Sequence, residues 1–164
     1  MTVYTVTATA RKASADTVRG KGESGKEISH GVRTYELLAS ASATTIDFGN
    51  IPSNARISGA SRLYWDDLAT SGSPTIDLGL FAVDSNITDD DDALNDGLAL
   101  SAVSTANVGS QVIKDIANFG KQAWEFVNGQ TTDPAGVLKI KGTVKDASTT
   151  ATGTVTLDLR YTID

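Results

Sequence analysis

The stretch from Thr154 to Ile163 constrains the fold more than any other part of the chain. Val155, Leu157, Leu159, Tyr161 and Ile163 occupy every second position, and Thr154, Thr156, Asp158, Arg160 and Thr162 fill the positions between them. Successive side chains of a strand point to opposite faces, so unbroken alternation over this length specifies a strand with one buried and one wet face. Residues 137–144 repeat the pattern, with Leu138, Ile140 and Val144 on one face and Lys139, Lys141 and Thr143 on the other. The Asp/Ser/Thr/Gly-rich segment Lys145–Gly153 separates the two, and the whole reads as a hairpin with a long connection.

Further strands are expected at Thr2–Ala8, Thr34–Ala41, Thr44–Phe48, Ala55–Trp65 and Thr75–Val83, and near Val108–Ile116. Gly49-Asn50-Ile51-Pro52 and Thr70-Ser71-Gly72-Ser73-Pro74 carry turn chemistry between them. Short strands with regular turn signals argue an all-β sandwich or barrel, with a jelly-roll-like antiparallel β-sandwich as the leading topology. Two segments break the rhythm. At Thr88–Leu100, Thr88 or Asp89 can N-cap a helix whose first turn holds Asp90, Asp91 and Asp92, where negative charge suits the helix dipole. Ala93, Leu94 and Leu98 then form its thin apolar stripe. Gly120–Gly129, with Trp124 and Val127 three apart, reads as a single helical turn plugging an end of the sandwich. One or two short helices are thus expected in a β body.

The length of 164 residues fits one domain, 1–164. A chain this size buries roughly 70% of its unfolded surface, so it needs no covalent staple. With no cysteine, disulfides, cysteine zinc sites and cysteine nucleophiles are excluded. No secretory h-region is visible near Met1, and no apolar run approaches ~20 residues, so no membrane partner is expected. The net charge of −6 argues against nucleic acid. Residues 10–33 hold six basic side chains (Arg11, Lys12, Arg19, Lys21, Lys26 and Arg33) against three acids, whereas the other 140 residues hold eight basic against 17 acidic. This stretch also has four glycines and no apolar periodicity, so it cannot bury enough surface to fold by itself. Residues 9–33 are expected to be an extended arm or long loop. Either it is a solvated loop, or its six basic residues contact an acidic partner.

No catalytic constellation emerges. Asp89–Asp92 could offer oxygens to a hard cation, but the segment lacks the alternate acids, central glycine and closing glutamate of an EF-hand loop, and a charged helix start explains it. Asp66-Asp67 follows Tyr64-Trp65, yet adjacent strand residues face opposite ways and cannot form a glycosidase pair alone. His30 is the lone histidine. No serine sits in a G-x-S-x-G elbow. Gly20-Lys21-Gly22-Glu23-Ser24-Gly25-Lys26 departs from a phosphate loop because Glu27 follows Lys26. Trp124 is expected in the core and Trp65 partly buried. No cofactor is expected, and the chain reads as a structural or binding module, not an enzyme.

Asn50-Ile-Pro-Ser-Asn-Ala-Arg-Ile-Ser-Gly59, Ile76-Asp-Leu-Gly-Leu-Phe-Ala-Val-Asp84 and Gly120-Lys-Gln-Ala-Trp-Glu-Phe-Val-Asn-Gly129, then Asp133-Pro134 and the strand Gly153–Tyr161, occur in an order that resembles small head-decoration (cement) proteins and related virion proteins of tailed bacteriophages. The resemblance covers roughly residues 34–164 and rests on loose structural patterns; Thr9–Arg33 departs from it. It implies a jelly-roll-like sandwich on the outer capsid surface, made in the host cytoplasm and commonly trimeric. Its role would be to bridge neighbouring copies of the major capsid protein. The alternatives are another virion part, such as a tail or fibre-base component, or a carbohydrate- or receptor-binding module using Tyr64 or Trp65.

Overall fold

The computed structural model describes residues 5–7, 28–83, 87–102 and 109–163, with residues 5–7 and 28–30 described at the level of the backbone. Among the described residues, ten strands follow one another: β1 (Thr5–Thr7), β2 (Ile28–Leu37), β3 (Thr45–Pro52), β4 (Ala55–Ile57), β5 (Arg62–Trp65), β6 (Thr75–Ala82), β7 (Asp90–Ala99), β8 (Ser110–Gln111), β9 (Val137–Lys145) and β10 (Gly153–Ile163). Two 3₁₀ turns, Ile116–Asn118 and Ala123–Phe126, lie in the connection from β8 to β9.

The strands form two sheets. One runs β1-β3-β9-β6-β7 (sheet A); the other runs β2-β10-β5-β8, with β4 also on β10 (sheet B). β4 pairs with residues 161–163 of β10 and β5 with residues 155–158, so they act as one interrupted strand. Counted that way, β2 to β10 make eight strands. Sheet B takes the first, eighth, third and sixth, and sheet A takes the second, seventh, fourth and fifth. This interleaving is the jelly-roll order of two Greek keys. β1 is an addition to it, pairing parallel with Thr45–Asp47 of β3.

The alternation that marked β10 places Val155, Leu157, Leu159 and Tyr161 inward, joined by Leu37, Ile57, Leu63 and Trp65. Sheet A answers with Ile46, Phe48, Ile51, Ile76, Leu78, Leu80, Leu138, Ile140 and Val144. Two inner faces interdigitating in this way are what holds a sandwich together. A polar clasp closes one corner: the Ser40 amide donates to Thr149 Oγ1 at 2.8 Å, and the Thr149 amide donates to the Ser40 carbonyl at 2.9 Å.

Four expectations change. Thr88–Leu100 contains no helix; Asp90–Ala99 is strand β7, on the edge of sheet A. The apolar strand β6 needs a neighbour on that side, and this tertiary demand overrides the local helix-start chemistry. The turn expected at Gly49–Pro52 is strand instead, because a bulge between Asp47 and Gly49 lets β3 run on to Pro52. Residues 55–65 divide into β4 and β5 at a turn closed by the Ser61 amide donating to the Ser58 carbonyl. β2 begins at Ile28, six residues earlier than the alternation suggested, since Gly31 and a register shift at Leu159/Arg160 blur the pattern. The helical turn expected within 120–129 is present as the 3₁₀ turn Ala123–Phe126.

Candidate functional site

Of the six basic residues singled out as a partner-contact set, Arg11, Lys12, Arg19, Lys21 and Lys26 lie outside the described residues. Arg33 lies in β2 opposite Leu157 of β10, hence on the inner side of sheet B. Its guanidinium crosses to the other sheet and rests over Gly49 of β3, at φ +102° within the bulge. A Cβ at that glycine would stand 2.8 Å from Arg33 Nη1 and 3.0 Å from Cζ. Asp47 shapes the same bulge, accepting from the Gly49 amide at 2.8 Å and pairing with Lys139 Nζ at 2.8 Å. Arg33 therefore ties the two sheets at their shared margin.

The acidic run is the most elaborately bonded surface feature. Asp89 accepts from the Ala82 amide at 2.8 Å, and Asp90 accepts from the Asn128 amide at 2.7 Å. Asp91 meets Lys145 Nζ at 2.5 Å, while Asp77 stands 3.8 Å from the same ammonium. The register between β6 and β7 breaks twice, and the pairing of Leu78 with Asn95 gives way to Leu80 with Asp90. Three extra residues of β7 thus arch outward. The arch lies on Gly79: a Cβ there would collide with the Asp90 carbonyl and the Asp91 backbone. A lone glycine inside the apolar run Ile76–Ala82 was the sequence signal for this close approach. Lys145 was read as the first residue of the polar connection after residue 144, whereas it ends β9; nothing local pointed it at residues more than 50 positions away.

The electrostatics follow from this packing. Burial pushes the Asp77 carboxyl above the usual aspartate range, with Asp96 and Asp91 adding to the rise; the Gly97 amide, which donates to it at 2.8 Å, and Lys145 oppose it. A hydrogen bond shared with Asp90 raises Asp92, and loss of solvent and the charges of Asp90 and Asp91 act in the same direction. Lys145 is raised by its contact with Asp91, reinforced by Asp77 and Asp92. Among the described residues, no group of three or more His, Asp or Glu side chains is placed to hold a metal ion.

The remaining candidates have structural partners. Asp66 Oδ2 accepts from the amide and the hydroxyl of Thr154 at 2.7 and 2.8 Å. Asp67 Oδ1 accepts from the Ala69 amide at 3.1 Å, closing a turn. The two tryptophans exchange their expected places. Trp65 faces the core and donates Nε1–H to the Ala102 carbonyl, because it ends the inward row of β5. Trp124 is half-buried on its 3₁₀ turn and donates to Gln122 Oε1. His30 falls in β2, and its side chain lies outside the described residues, as does the Gly20–Lys26 segment. Tyr64 sits on the outer face of sheet B, opposite Thr156, with its ring edge over Gly109.

No protein-family model matches the chain, and no curated protein matches it. Among solved structures, the chain is similar to one in "Capsid of Ralstonia phage GP4", with a TM-score of 0.52 and 20% sequence identity. The match covers 98% of this chain and 99% of that one, so the likeness extends over the whole jelly roll and is a likeness of fold.

Proposed function

We propose that this chain is a structural component of a tailed-phage virion: a capsid decoration (cement) protein, without catalytic activity, that binds the outer surface of the head and bridges major capsid subunits. The observation that carries the reading is the end-to-end correspondence with a chain of a phage capsid structure. Two further features support it. The carboxylates of Asp66, Asp89, Asp90 and Asp91 are committed to amides and a lysine of the same chain, as structural carboxylates are. The basic residues Arg11, Lys12, Arg19, Lys21 and Lys26 precede an acidic body and suit an acidic capsid surface. In this reading the protein acts as a homotrimer, a closed arrangement that lets each protomer cover a neighbour's edge.

The experiment is to mix the purified chain with mature heads that lack it and to image them. Density at regular positions on the outer surface, and heads that resist heat or low osmolarity better than undecorated ones, is the expected result. Heads that stay bare, together with binding to the tail or to a glycan array, would replace the reading with a tail or receptor-binding role.

A further inference from the structure

The edges of the two sheets are finished in different ways. In sheet B, β8 contributes two residues, too few to template a partner strand, and β2, ten residues long, is interrupted by Gly31 and a register shift against β10. β7 is a ten-residue edge strand, and β6 beside it carries the apolar row Ile76, Leu78 and Leu80. A long edge over such a row is the part of a sandwich most prone to pair with a second copy. Here it is blunted three times over. The ladder between β6 and β7 breaks at two places, so the backbone arches instead of presenting a flat row of amides. The Ala82 amide at the end of β6 is capped by the Asp89 carboxylate and not by a strand. Asp90, Asp91, Asp92 and Asp96 then put four carboxylates on β7 itself.

We infer that the acidic arch of β7 is an edge guard, which prevents the β6–β7 edge of sheet A from pairing with the same edge of a second copy of this chain and releases it when the arch loses its charge. Across a two-fold axis at Asp91, antiparallel β7 strands bring Asp90 opposite Asp92 and Asp91 opposite its own copy, and each such pair opposes association. Among the described residues, the charged groups facing the arch come from β6, β7, β9 and the connection after β8. Asp77 faces it from β6 and Lys145 from β9. Asp96 on β7 is paired with Lys114 from the connection after β8, at 3.3 Å. Asn128 holds Asp90 through a neutral amide. Lys145 offsets part of the charge but is held inward by Asp77 and Asp91, leaving Asp90 and Asp92 side by side. The upward shifts of Asp77 and Asp92 place the release in mildly acidic solution, above the ordinary aspartate range.

The inference is independent of the virion role and is tested on the full chain in solution. Sedimentation over a concentration series reads association beyond the state that the wild type holds at pH 7. The D90N/D92N variant retains its hydrogen-bond acceptors and loses two charges. It should associate at pH 7 at about one-tenth of the wild-type concentration, the effect of removing several like-charge contacts. The D67N/D133N variant loses the same charge from exposed loop positions elsewhere, keeps its Oδ1 acceptors and should behave as wild type. On association, amide hydrogen exchange should slow in residues 78–82 and 90–95. A folded D90N/D92N that associates no more readily than D67N/D133N overturns the inference. If D90N/D92N does not fold, acidified wild type decides: slowed exchange in β6 and β7 supports the guard, and slowed exchange elsewhere overturns it.

Discussion

β10 and β7 are strands of similar length, and they are held in place by different physics. β10 lies inside sheet B with β2 on one side and β4 and β5 on the other, and its inward residues meet the opposite sheet. Each of its positions is therefore specified twice, by a face and by a ladder. β7 has a neighbouring strand on one side, breaks register twice and adds polar contacts through the side chains of Asp90, Asp91, Asn95 and Asp96. An interior strand is determined by its pattern of apolar residues, whereas this edge strand is determined by particular partners contributed by β6, β9 and the connection after β8.

That contrast predicts where damage is greatest. Leu157→Ala removes a fully buried side chain from the middle of β10 and should cost about 2–5 kcal/mol, read by urea unfolding. Leu94→Ala, equally buried but on the edge strand, should fall at the lower end of that range, because β7 can settle inward where β10 cannot. Equal losses at the two sites would break the comparison. Gly79→Ala comes next. The added methyl meets the backbone of Asp90 and Asp91, not a movable side-chain tip, so the arch must lift off β6. The expected cost is about 1–3 kcal/mol, together with faster hydrogen exchange in β7 than in β10.

The same contrast explains what could be read from the sequence. β10 and β9 were legible because period-two alternation survives wherever a strand is flanked by neighbours and packed on one face. The turn at Ala123–Phe126 was legible because its Trp/Val spacing and flanking glycines are local. β7 was misread as a helix because DDDALNDGLA has no alternation to show, and its acidic start imitates a helix N-terminus. The extension of β3 beyond Phe48 was hidden by Gly49-Asn50, which reads as a turn and serves as a bulge held by Asp47. The role of Arg33 could not be read either, since Gly49 receives it from the opposite sheet. Of the contact set, the structure gives a position to Arg33 alone, so the partner surface remains a proposal resting on charge and fold.

Smaller effects separate how β10 and the arch of β7 are held. Asp66→Ala removes two hydrogen bonds to Thr154 at the start of β10 and should cost about 1 kcal/mol, with β5 and β10 still paired through Leu63 and Leu157. Lys145→Met takes away the cation between Asp77 and Asp91. The partly exposed pair with Asp91 limits the loss to about 1 kcal/mol at pH 7. The loss should shrink as the pH falls and Asp77, raised by burial, takes up its proton.

The smallest expected effect is the most specific. Asp77 and Asp92 are raised above the ordinary aspartate value of about 3.9 that the unfolded chain shows. A carboxyl raised by folding binds its proton more tightly in the folded state. Its stabilising contribution is complete below the unfolded value and is lost as the pH rises through the folded one. These two groups therefore add stability when neutral solution is acidified into the window just above pH 4. Asp92→Asn removes the charge that Asp90 and Asp91 oppose. A small rise in Tm at pH 7 is expected, shrinking as the pH falls toward the ordinary aspartate value and the wild-type carboxyl takes up its proton as well. Thermal melts of both proteins across that range check it. A Tm difference that stays constant with pH would mean that the arch is held by backbone geometry on Gly79 and not by its charge.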